Sequence, residues 1–160
     1  YKQNTGKKMS TIRSFRGLIA DATQDPVSLH TINGSQGYRI VRFDLMPYEP
    51  GGSTQESVVK IFSVPQTGTP TATMDFSDQT LLGAAFMALS DSHVYPVKDI
   101  VFFDKMVFNQ DIYITHQNTG GTTTPINYYI ELELVKLDLN ENTVATLKDI
   151  RNIERRGISA

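Results

Sequence analysis

Between residues 27 and 139 apolar positions recur with a period of two, the signature of half-buried strands, because successive side chains leave a strand on opposite faces. Val41, Phe43 and Leu45 alternate with Arg42 and Asp44, and Ile130, Leu132 and Leu134 alternate with Glu131 and Glu133. The change of phase to Val135, Leu137 and Leu139 predicts a bulge or a twist near Leu134. Strands are predicted at 27–32, 38–46, 55–64, 71–76, 99–104, 106–116 and 127–139. Turn clusters separate them: Asn33-Gly34-Ser35-Gln36-Gly37, Pro47 to Gly52, Thr67-Gly68-Thr69-Pro70 and Asn118 to Pro125. The first two strands then read as a pair joined by a short loop. In residues 80–89, Leu81, Leu82, Ala84, Ala85, Phe86 and Leu89 fit a buried helix capped by Ser77 or Asp78 as well as a buried strand. Gly83 and the strands on either side favour the strand.

Seven to nine short strands at this spacing predict an all-β fold, an antiparallel β-sandwich of jelly-roll type over residues 21–139. Its expected core includes Val41, Phe43, Ile61, Phe86, Ile112, Ile114, Ile130 and Leu132. Residues 1–20 read as a basic, extended arm. Residues 140–160 read as a short amphipathic helix and tail: Asn140 or Asn142 caps it, and Val144, Leu147, Ile150 and Ile153 form one apolar face. Such a short helix needs a surface to pack on.

At 160 residues the chain is long enough for one core without a disulfide or a metal. It has no cysteine, which excludes disulfides, thiolate nucleophiles and thiolate metal sites. No apolar run is long enough to span a bilayer, and the basic start leads into no signal-type stretch, so a soluble protein with no membrane partner is expected. The net charge of −2 conceals an asymmetry. Residues 1–16 carry Lys2, Lys7, Lys8, Arg13 and Arg16 without an acid, and residues 148–160 carry a net +2, which leaves the body between them at −9. Five charges spread over sixteen residues, without interleaved aromatics, are sparse for a nucleic-acid tail. The stronger expectation is contact with acidic neighbouring subunits. Lys2, Lys7, Lys8, Arg13, Arg16, Leu147, Ile150, Ile153, Arg155 and Arg156 are its candidate residues in a homo-oligomer, for which a trimer is one arrangement.

Candidate chemistry is thin. His30, His93 and His116 are far apart, each without a second ligand at metal spacing, and read as loop or strand-surface imidazoles. Asp75 and Asp78 lack a calcium-loop signature and read as Asx turns. Glu131 and Glu133 share a strand face at a spacing near that of a glycosidase pair, yet an alternating Glu face is the ordinary solvent side of a strand. No nucleophile elbow, phosphate loop or dinucleotide fingerprint occurs. The expectation is no enzyme, no metal and no cofactor. Tyr95, Tyr113, Tyr128 and Tyr129 keep a second function class open, a glycan-binding β-sandwich that stacks tyrosine on a sugar ring.

Several strings resemble virion structural proteins of environmental, mostly marine, tailed bacteriophages. These are Gly37-Tyr38-Arg39-Ile40-Val41, Phe76 to Leu82, Phe108-Asn109-Gln110-Asp111-Ile112-Tyr113, Asn127 to Glu133 and Asn140 to Leu147. The resemblance covers most of residues 17–153. It implies a non-enzymatic particle protein located on the virion, a head decoration or cement subunit bound to a major capsid protein, or another capsid or tail component. No functional residue is carried over. The length is short for the principal capsid subunit of a tailed phage and suits a one-sandwich decoration or a small single jelly-roll capsid protein.

Overall fold

The computed structural model describes residues 11–29, 35–51, 54–90 and 97–137. Through them run β1 (Ile12–Ile19), β2 (Thr23–Val27), β3 (Gln36–Pro47), β4 (Gln55–Phe62), β5 (Leu81–Leu89), β6 (Val97–Phe102), β7 (Ile112–Asn118) and β8 (Ile126–Lys136). They form two antiparallel sheets, ordered β1-β8-β3 and β2-β7-β4-β5-β6. No helix occurs among the described residues. The amphipathic helix expected at 140–160 lies outside them.

Alternation converts directly into the core. Ile19, Tyr38, Ile40, Phe43, Leu45, Ile130 and Leu132 from the smaller sheet meet Val59, Ile61, Met87, Ile112 and Ile114 from the larger one. Six of the eight expected core residues are buried; Val41 and Phe86 are only half-buried. Val41 is displaced by a bulge. The β3–β8 register shifts between Ile40 and Arg42, so Tyr38 and Ile40 before it and Phe43 and Leu45 after it all face inward. The β8 ladder continues to Lys136 without a register shift at Leu134, while burial passes from Ile130 and Leu132 to Leu137, the change of phase expected near Leu134.

Other expectations are corrected by pairing. The arm expected at 1–20 is, from Ile12 onward, the edge strand β1, held by β8 along its whole length. Of the strand expected at 27–32, Val27 ends β2, Ser28 and Leu29 are irregular and residues 30–32 lie outside the described residues; β2 pairs with β7 and β3 with β8 in the opposite sheet. Of residues 80–89, Leu81–Leu89 form a strand, as Gly83 suggested, and a Cβ at Gly83 would lie 3.3 Å from the Val101 carbonyl of the neighbouring β6. Residues 71–76 make no ladder. Asp75 accepts from the Ser77 amide at 3.0 Å and Asp78 from the Thr80 amide at 2.9 Å, two Asx turns that bend the chain, while the Thr73 carbonyl accepts from Lys60 Nζ at 2.7 Å. This loop helps to cover the outer face of the larger sheet, where Val58, Lys60 and Phe62 are buried. Residues 106–111 are also irregular, apart from a bridge between Phe108 and Tyr38.

Gly17 shows how tightly the smaller sheet is filled. It faces inward beside Tyr128, and a Cβ at this position would come 2.7 Å from the Tyr128 hydroxyl and 2.9 Å from its ring. Gly17→Ala is expected to cost about 1–3 kcal/mol in urea unfolding, the cost of an overpacked core. A double-mutant cycle with Tyr128→Leu should recover part of that loss.

Candidate functional site

Among the described residues, the outer face of the β1-β8-β3 sheet presents a row of exposed side chains. The ladders set its side chains in four cross-strand rungs: Ile12, Glu133 and Arg39; Ser14, Glu131 and Arg42; Arg16, Tyr129 and Asp44; Leu18, Asn127 and Met46. The two-residue period that sends Ile130 and Leu132 into the core sends these residues outward. Leu18 and Met46 are about half and nearly two-thirds exposed, at 49% and 61%. With Arg16, Tyr129, Asn127 and Lys98 they border a shallow depression of about 610 Å³.

Most of the charges on this face are paired, across strands or along β3. Arg39 forms an ion pair with Glu133, its Nε donating at 2.6 Å. Arg42 reaches Glu131 at 3.8 Å and Asp44 at 3.9 Å, and its guanidinium lies 5.2 Å from the centre of the Tyr129 ring. Lys98, from β6 of the other sheet, donates to Asp44 at 2.9 Å and to the Leu45 carbonyl at 3.2 Å. Burial works to raise the Asp44 carboxyl, but bonds from Lys98 and the Leu45 amide, with the nearby cations, hold it below its ordinary value. The Tyr129 hydroxyl donates to Glu131 at 2.7 Å, and that bond shifts its titration upward. Glu131 and Glu133 are thus each engaged by an arginine. Such exposed pairs fix register and contribute little stability.

Of the residues expected to make intersubunit contacts, the described ones are Arg13 and Arg16, both exposed on β1. Arg13 lies 5.9 Å from the centre of the Tyr38 ring, and Arg16 borders the depression. Lys2, Lys7, Lys8, Leu147, Ile150, Ile153, Arg155 and Arg156 lie outside the described residues, as do His30, His93 and Tyr95. Tyr128 and Tyr129 both line the depression, but Tyr128 is buried in the core, which leaves Tyr129 as the one on the outer face whose ring could stack on a sugar. Leu18 and Met46 carry no signal in the sequence: Leu18 falls in the segment expected as an arm, and Met46 is one apolar residue on the Arg42 and Asp44 face of its strand.

His116 is not a surface imidazole. It is fully buried, with Nδ1 3.1 Å from the Ile19 carbonyl and 3.2 Å from that of Ala20, and Nε2 3.0 Å from Ser57 Oγ. Ser57 Oγ also lies 2.8 Å from Asn118 Oδ1 and accepts from Gln55 Nε2 at 3.0 Å. Asn118 Nδ2 donates to the Thr124 carbonyl at 2.7 Å, and its backbone amide donates to Asp21 at 2.8 Å. The Ser57–His116 contact has the length of a nucleophile–base pair, but both residues have zero exposure and Nδ1 faces carbonyls instead of a carboxylate. The network joins β4, β7 and the β1–β2 turn.

Among the described residues no three His, Asp or Glu side chains are grouped to hold a metal ion. No described helix is long and apolar enough to cross a membrane. Comparison of the chain with protein families, with curated proteins and with solved structures found no match.

Proposed function

We propose that this chain is a non-enzymatic structural subunit of a virus particle, a decoration or cement protein that sits on the head of a tailed bacteriophage and binds its major capsid protein. The observation that carries the reading is the winding of the strands. The first pairs with the last, the second with the seventh and the fourth with the fifth, which is how a long hairpin rolls up into a jelly roll. The sixth strand departs from that scheme, pairing with the fifth and reaching the third through Lys98. Eight-stranded jelly rolls recur in capsid and lectin domains, and the resemblance of residues 17–153 to phage virion proteins favours the first of these. A small single jelly-roll capsid protein is the nearest variant.

Glycan recognition is the second reading. It draws on the depression bordered by Tyr129, Asn127, Arg16 and Lys98, whose ring, amide and cations are groups that bind polyols.

Mass spectrometry of purified particles from the source virus should find this chain at high, lattice-related copy number. The purified chain should also co-sediment with particles stripped of it. Absence from the particle would overturn the proposal, and binding of a polysaccharide array lost in Tyr129→Ala would favour the glycan reading instead.

A further inference from the structure

Among the described residues, two sheets of these orders have four edges, carried by β1, β3, β2 and β6. Three of them bear devices that discourage another strand from pairing. Strand β2 is short and contains Pro26, which has no amide to donate. Strand β6 is short and charged at Lys98 and Asp99, and Lys98 is tied to β3. Strand β3 is bulged at Val41, ends at Pro47, and exchanges backbone bonds of 2.7 and 2.9 Å with Phe108. Strand β1 also carries charges, Arg13 and Arg16, but differs otherwise: eight residues, no proline and no register shift.

The pattern of its open edge follows from one bond. Leu134 N donates to the Thr11 carbonyl at 3.0 Å, so Thr11 faces β8. Alternation then turns the N–H and C=O groups of Ile12, Ser14, Arg16 and Leu18 away from β8. The side chains of the same four residues lie on the outer face, with Ile12 46% and Leu18 49% exposed.

We propose that β1 pairs with β1 of a second copy, antiparallel about a twofold axis at Phe15, to give one continuous six-stranded sheet. In this register Ile12 lies opposite Leu18 of the other copy and Ser14 opposite Arg16, each pair exchanging both backbone bonds, while Phe15 meets Phe15 and Arg13 meets Gly17. The exposed apolar residues cover each other, and no like charges are opposed. Sliding by two residues one way sets Arg16 against Arg16. Sliding the other way sets Ile12 against Arg16 and leaves Leu18 without a described partner. Sliding by a single residue mismatches the outward backbone groups. Repulsion between the two copies of Arg16 thus disfavours one slide and loss of the Ile12–Leu18 pair the other, and the interface is isologous, as a twofold requires. This inference rests on the sheet edge and goes beyond the virion reading.

The test uses the purified full chain without any particle, so its outcome is separate from that of particle binding. Sedimentation equilibrium should give a dimer. Ser14→Arg opposes two arginine pairs across the axis and should raise the dissociation constant about tenfold. Adding Arg16→Glu should restore dimerisation, while unchanged thermal melts show that the sandwich is intact. The chain has no cysteine, so Phe15→Cys provides a single thiol that should cross-link two copies on oxidation, whereas Leu18→Cys should not. A monomer at every concentration would overturn the proposal. So would a dimer indifferent to Ser14→Arg and not cross-linked through position 15.

Discussion

Replacing Ile130 by alanine is expected to cost about 2–5 kcal/mol, a large share of the ~5–15 kcal/mol that holds a domain of this size together. Ile130 has no exposure, and it lies in the central strand of its sheet, opposite Phe15 on one side and Phe43 on the other. Truncation removes buried methyl and methylene groups and leaves a cavity that neighbours held by two ladders cannot fill. In urea, the midpoint should fall with little change in the slope of free energy against denaturant. In a melt, the same loss lowers the midpoint by roughly 4–20 °C. Leu134→Ala is the internal comparison. Leu134 lies two rungs further along the same face but is only half-buried, so its truncation should cost clearly less. Equal losses at the two positions would mean that the core does not end where the burial pattern places it.

The strands were legible in the sequence because alternation is a local signal. Phe43, Ile61, Ile112, Ile114, Ile130 and Leu132 carry it and are buried. Which sheet a strand joins is not local. Residues 27–46 read as two strands joined by a short loop because a turn cluster separates two apolar runs, yet β2 ends at Val27 and lies in a different sheet from β3. A bulge is equally invisible from one strand: Val41, Phe43 and Leu45 alternate without a flaw, and only the pairing with β8 shows that Ile40, not Val41, faces the core. Strand β1 was read as an arm because Arg13 and Arg16 dominate its charge, while Phe15, Gly17 and Ile19, its inward face, are too few to announce a strand.

The candidate surface was legible in part. Glu131 and Glu133 read as a solvent face, and they lie on one, each engaged by an arginine of β3. Tyr129 is one of the four tyrosines that keep the glycan reading open, but Leu18 and Met46 carry no signal, since exposure of an apolar side chain depends on the absence of a covering element, which a sequence does not encode locally. The larger sheet carries similar residues, Val58 and Phe62, on its outer face, but there they are buried. His116 was misread for the same reason. A histidine in a strand shows in its sequence neither which face it takes nor what covers that face.

Acidification below about pH 6.5 is expected to destabilise the fold through His116 before the carboxylates with lowered values begin to protonate. Burial pushes the imidazole below its ordinary value of 6.5, against the opposing pull of the Ala20 and Ile19 carbonyls and of the Asp21 charge. The carbonyls only accept, so Nδ1 carries the proton of the neutral ring, and Nε2 competes with Asn118 Oδ1 for the single hydroxyl proton of Ser57. Protonating Nε2 would satisfy every one of these contacts but would set a charge in a site without water access, and desolvation wins. Above pH 6.5 the ring is neutral in both folded and unfolded chains, so its contribution is complete. As the pH falls through 6.5 the unfolded chain takes up a proton that the folded chain refuses. Stability then declines by at most about 1.4 kcal/mol per pH unit until the lowered folded value is reached. Asp44, held below its ordinary 3.8, adds its own loss only at lower pH, and Asp25, raised by burial, works in the opposite sense. Urea unfolding between pH 7 and 5 should therefore show a falling free energy for the unsubstituted chain. His116→Gln should be less stable at pH 7 by about 1–3 kcal/mol, from buried partners left unmatched, with a flatter profile below it. An identical slope in both proteins would assign the acid sensitivity to other groups and remove His116 from the account.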